Sequence, residues 1–96
     1  MSIAVVDTSP LISLSLISKF DLISILFDEF YIANAVNKDL YKYKKIFDYE
    51  SFRTKYSSNI KKIKLTNTFL PIMDYGESES LILYNELHAD LLIIYD

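Results

Sequence analysis

The sequence predicts an α/β domain in which a short parallel sheet carries helices on its faces. Three observations lead there. Two apolar runs read as strands: "IAVV" at 3–6, β-branched at three of four positions and buried, and "LLIIYD" at 91–96. Helical patterns lie between such runs, as in chains that build parallel sheets. Both runs also end on an acid, Asp7 and Asp96, at the carboxyl end of the strand where ligands of parallel sheets bind.

The remaining elements follow in order. Ser9-Pro10 starts a helix, with serine as N-cap and proline at the first helical position, where its missing N–H is not needed. Leu11, Leu14 and Ile17 form that helix's apolar face. Asp21 caps a second, short helix, "DLISILF". "EFYIA" (29–33) is the second strand, and "NAVNKDLYKYKKI" a helix capped by Asn34 with Val36, Leu40 and Tyr43 on one face. Residues 48–60 are a weakly patterned helix, "IKKIKL" a short strand or edge, and 66–75, with Pro71, a loop. "GESESLILYNELHAD" is the clearest helix, with Leu81, Ile82, Tyr84 and Leu87 inward and acids in its first turn, where the helix dipole favours them.

The 96 residues make one small domain, 1–96, with 51% hydrophobic residues, one glycine and two prolines, which is the composition of a globular chain. The lack of cysteine excludes a disulfide framework and a thiolate zinc site, and suits a reducing cytoplasm. No stretch approaches the roughly 20 apolar residues of a membrane span, so no membrane partner is expected. The net charge of −3 conceals a strong asymmetry. Residues 38–64 hold nine of the ten Lys/Arg against three acids, a local +6, between an N-terminal part at −3 and a C-terminal part at −6. A basic middle between acidic ends can hold a phosphate backbone while the acids hold a cation; a solvated helical face accounts for the lysines equally well. Tyr41, Tyr43 and Tyr49 interleave with those lysines and can stack on bases, or simply pack.

Five acids fall toward one edge of the expected sheet: Asp7 and Asp96 at strand ends, Asp39 one and a half turns into the helix after the second strand, and Glu77 and Glu79 opening the helix before the last strand. Each has a simpler reading. Asp7 can cap the first helix, Asp39 can pair with neighbouring lysines, Glu77 and Glu79 can favour a dipole, and Asp96 is the last residue given. Together they repel one another unless a cation intervenes. Oxygen ligands without cysteine, in a chain with one histidine, favour Mg²⁺ or Mn²⁺ over zinc. His88, late in its helix, suits a dipole partner better than a general base.

"VVDTSPLISL" (5–14) resembles the opening segment of PIN domains, specifically the VapC-like toxin group. "DYGESESLILYNELHADLLII" (74–94) is similar to that group's Asp-x-Gly-Glu-x-Glu helix followed by Ala-Asp and an apolar strand, and "FYIANAVNKDL" (30–40) to its middle segment. The resemblance implies a three-layer PIN-like sandwich and a metal-dependent ribonuclease, cytoplasmic, that pairs with a small antitoxin protein, with family analogy extending to a homodimer. It implies Asp7, Asp39, Glu77 and Asp96 as catalytic acids holding Mg²⁺ or Mn²⁺, with Glu79 the rival of Glu77, and Thr8 or Ser9 helping to position the metal or its water. Lys42, Lys44, Lys45, Lys61 and Lys62 would then contact the RNA phosphates. The chain departs from the group in Asp39 where Glu is preferred, in Ala33 where proline is usual and in Tyr95 where an acid is common. It also stops at the fourth acid, where the group continues through another helix, strand and C-terminal segment, so an incomplete domain is expected. The alternative is a truncated, inactive PIN remnant that only binds a protein partner. A receiver-like phosphorylation switch would need paired acids after the first strand and a lysine after the last, and has neither here.

Overall fold

The computed structural model describes residues 2–67 and 74–94. Strand β1 (Ile3–Val6) is the centre of the molecule: Ala4, Val5 and Val6 are fully buried, which requires cover on both sheet faces and accounts for the unbroken apolar run. It pairs in parallel with β2 (Glu29–Ala33) on one side and β4 (Leu91–Ile93) on the other, and β2 pairs in parallel with the two-residue edge strand β3 (Ile60–Lys61). The sheet order is β3-β2-β1-β4. Helices flank this four-stranded parallel sheet, as the sequence predicts.

Between β1 and β2 lie α1 (Thr8–Leu16) and α2 (Leu22–Leu26); between β2 and β3 lie α3 (Asn34–Lys42) and α4 (Tyr49–Tyr56); α5 (Tyr75–Glu86) precedes β4. Both strands predicted in the first third have the expected bounds, but the helix caps do not. The N-cap of α1 is Asp7, whose carboxylate accepts from the Thr8 N–H at 2.8 Å, and not Ser9. Asp21 sits at the N-cap of α2 without capping it; its carboxylate accepts instead from the Tyr56 hydroxyl at 2.7 Å and the Lys55 ammonium at 3.0 Å. Asn34 is the first residue of α3, where Glu79 takes the capping role by accepting from the Ala35 N–H at 3.0 Å. Tertiary partners outcompete local ones in the last two cases, because a carboxylate goes where donors converge.

Helix faces differ likewise. Ile17 and Tyr43, expected inward, are exposed. On α5 the buried residues are Gly76, Ser78, Ser80, Ile82 and Leu83. Small residues let α5 press onto α3, β1 and β2, and the Ser78 hydroxyl is satisfied by donating to the Asp74 carbonyl at 2.6 Å and accepting from the Asn67 amide at 2.7 Å. An aromatic part of the same core joins Phe20, Phe47, Phe52 and Tyr56, with ring centroids 5.5–5.8 Å apart, and reaches β2 through Phe30. His88 adopts a left-handed φ of 51° and ends α5: its N–H meets the Asn85 carbonyl at 3.3 Å and the Ala89 N–H meets the Tyr84 carbonyl at 3.1 Å. Most of the predicted 66–75 loop lies outside the described residues. No helix among the described residues is long and apolar enough to cross a membrane.

Candidate active site

Strand order reverses at β1: the chain builds outward through β2 and β3, then returns to place β4 on the other side. In such sheets the crevice at the carboxyl end of that strand is where ligands bind. Asp7 stands there, directly after β1, with its N–H held by the Ile93 carbonyl of β4 at 3.0 Å. It lines a hollow of about 310 Å³ together with Thr8, Ser9, Asp39, Lys42, Tyr43, Asp74 and Glu77. Two larger hollows, about 500 and 540 Å³, adjoin the aromatic residues; two acids line each among the described residues, Asp21 with Asp48 and Asp28 with Glu29.

Three helices supply the walls. The start of α1 brings Asp7 and Thr8, α3 brings Asp39, and the start of α5 brings Asp74 and Glu77. Asp74 caps α5, accepting from the Glu77 N–H at 2.8 Å. The Thr8 hydroxyl donates to Asp39 Oδ2 at 3.3 Å, and Lys42, one helical turn beyond Asp39, stands 3.5 Å from its Oδ1. Gly76 makes the convergence sterically feasible. A Cβ there would lie 2.9 Å from Asp39 Oδ2, 3.2 Å from Asp7 Oδ1 and 3.6 Å from Asp74 Oδ1, so the absent methyl group is the space the carboxylates share.

Asp7 is 6% exposed and its carboxyl is raised above the ordinary carboxylate value of 3.8. Burial is the main cause, and the Asp74, Glu77 and Asp39 charges add to it, against the Thr8 N–H bond that favours the ion. Among the described residues, no three acidic or histidine side chains are drawn together closely enough to hold a metal ion. Asp7, Asp39 and Asp74 each accept from a protein donor instead, and Lys42 supplies a positive charge beside Asp39. The donor set nonetheless fits a hard divalent cation: four carboxylates, three hydroxyls, neither thiol nor imidazole, and a glycine-sized space beside three of the carboxylates.

Of the residues singled out from sequence, Asp7, Thr8, Ser9, Asp39, Lys42 and Glu77 line this hollow. Glu79 does not, its carboxylate being engaged by the start of α3. Lys44 lies over the Tyr41 ring and Lys61 over the Tyr31 ring, outside the hollow with Lys45 and Lys62. Asp96 lies outside the described residues. Asp74 is the acid that sequence reasoning passed over, though Asp-x-Gly-Glu was in view and an acid three residues before a first-turn Glu is a capping signal.

No curated protein and no solved structure matches the chain. A family model, DUF3368, described as a PIN domain, matches residues 3–96. The parallel sheet, the acids gathered at the carboxyl end of its central strand and a match over almost the whole length agree, and the chain belongs to this PIN-domain family.

Proposed function

We propose that the chain is a Mg²⁺- or Mn²⁺-dependent ribonuclease of the toxin–antitoxin type that hydrolyses RNA phosphodiester bonds. Membership of a PIN family suggests a nuclease, and the observation that carries the finer reading is that Asp7, Asp39, Asp74 and Glu77 line one hollow beside Lys42, with the first three around the space left by Gly76. Asp7, Asp39 and Glu77 would hold the cation, Asp74 stands ready as a further oxygen donor, and Asp96 fills the fourth acidic role in the resemblance. The bound ion would supply an acidified water and charge neutralisation at the phosphate. Asp7, anchored at both its backbone and one side-chain oxygen, keeps a carboxylate at the floor of the hollow. Thr8 orients Asp39. Lys42, already near Asp39, offers a cation to the substrate phosphate.

A second reading, an inactive remnant that only binds a protein partner such as a small antitoxin, draws support from one feature. Leu16, Ile17, Leu22, Ile25 and Leu26 leave α1 and α2 with an exposed apolar shoulder. Incubating the purified chain and Asp7→Asn with RNA and Mg²⁺ or Mn²⁺ separates the two readings. Cleavage by the wild type that disappears in the variant is expected. A folded wild-type chain that neither binds divalent ions nor cuts RNA leaves the partner-binding reading standing.

A further inference from the structure

Three tyrosines interleave with the lysines of α3 and the segment after it, and they differ in what their rings touch. Tyr41 meets Tyr49 edge-on at 5.3 Å and carries the Lys44 ammonium 4.4 Å above its ring. Tyr49 donates its hydroxyl to Asn37 at 2.9 Å and packs on Phe52. Both are occupied by the fold. Tyr43 has neither a ring partner nor a side-chain hydrogen bond among the described residues, is 47% exposed, and lines the acid hollow. Its backbone is fixed, since its N–H closes the end of α3 on the Leu40 carbonyl at 3.0 Å. Helical periodicity puts residues 39, 42 and 43 on one side of the helix, so the carboxylate of Asp39, the ammonium of Lys42 and the free ring of Tyr43 succeed one another along a single wall.

We propose that Tyr43 is the stacking platform for an unpaired base next to the scissile phosphate, and that Lys42 holds the adjoining phosphate, so that this wall of the hollow seats the RNA strand. This rests on the ribonuclease reading above. A ring face at the wall of the hollow needs a base turned out of its helix to meet it, and in a duplex both base faces are already stacked. Lys38, Lys44 and Lys45, all exposed on the same helix and the segment after it, extend the positive surface along which the strand would run.

The test is fluorescence anisotropy of a labelled single-stranded oligoribonucleotide of about 12 nucleotides and its duplex counterpart, in Ca²⁺, with the wild type, Tyr43→Ala, Tyr43→Phe and Lys42→Gln. Wild-type binding is expected to favour the single strand. Tyr43→Ala should weaken it about 10-fold, Tyr43→Phe should restore it, and Lys42→Gln should flatten its salt dependence. Equal single-strand affinity in wild type and Tyr43→Ala, or equal wild-type affinity for single strand and duplex, overturns the proposal while RNA cleavage by the wild type keeps the ribonuclease reading intact. A wild type that neither binds nor cuts RNA removes both.

Discussion

The fold holds two kinds of aspartate, and Asp7 and Asp21 typify them. Asp21 receives the Tyr56 hydroxyl and the Lys55 ammonium, and those two bonds hold its carboxyl below the ordinary value. Asp28 on the Ser2 N–H and Asp48 on Ser51 behave the same way. Asp7 is buried and faces Asp74, Glu77 and Asp39, so its carboxyl is raised. A carboxylate that finds donors ties chain segments together. A carboxylate buried against other carboxylates costs the fold stability, and carboxyls perturbed in this way gather at functional sites.

The largest expected difference between the two regions is in metal affinity. Asp39→Asn, like Asp7→Asn, should weaken Mg²⁺ or Mn²⁺ binding by at least about 100-fold in calorimetry, whereas Asp21→Asn should leave it unchanged. Gly76→Ala comes next. Its new methyl collides with the Asp39 carboxylate, a movable side-chain end, so the fold should survive by circular dichroism while metal affinity falls about 10-fold. Glu79→Ala should cost about 1 kcal/mol in urea unfolding by leaving the Ala35 N–H without its partner, and should loosen Asp39 on the same helix; Glu79→Gln keeps an acceptor and most of the stability.

The pH dependence should have opposite signs in the two regions. For Asp21, whose carboxyl is lowered, stability is present above the unfolded value of 3.8 and lost as pH falls through the folded value. For Asp7, whose carboxyl is raised, stability of the metal-free chain is greatest below 3.8 and declines as pH rises through the folded value. Thermal unfolding in EDTA should therefore show Asp7→Asn more stable than wild type at neutral pH, and Asp21→Asn less so. If Asp7→Asn is instead the less stable, Asp7 serves mainly as a helix cap and the contrast collapses. The smallest effect belongs to His88→Gly, which relieves a left-handed backbone and should stabilise by up to about 1 kcal/mol.

Much of this arrangement was legible before any coordinates. The all-apolar "IAVV" required cover on both faces, the alternation of strand and helix required parallel pairing, and three segments, at 5–14, 30–40 and 74–94, point to the PIN family. Asp7, Asp39 and Glu77 were also singled out, because acids at strand ends and helix starts fall on one edge of such a sheet. These features rest on local periodicity and on covalent order, which a sequence states directly.

What only the tertiary structure decided concerns choices between competing partners. Glu79 is the sequence's rival to Glu77, but the start of α3 claims its carboxylate; Asp21 sits where it could cap α2 but turns to Tyr56 and Lys55. Ser78 and Ser80 of α5 are buried, because their small size lets the helix close on α3 and the sheet. Asp74 joined the acids and two of three tyrosines were taken up by packing, leaving the third on the wall of the hollow. Hydrogen-bond donors and empty space are distributed across the assembled fold, so which carboxylate or ring they satisfy is settled by distances between segments far apart in the chain.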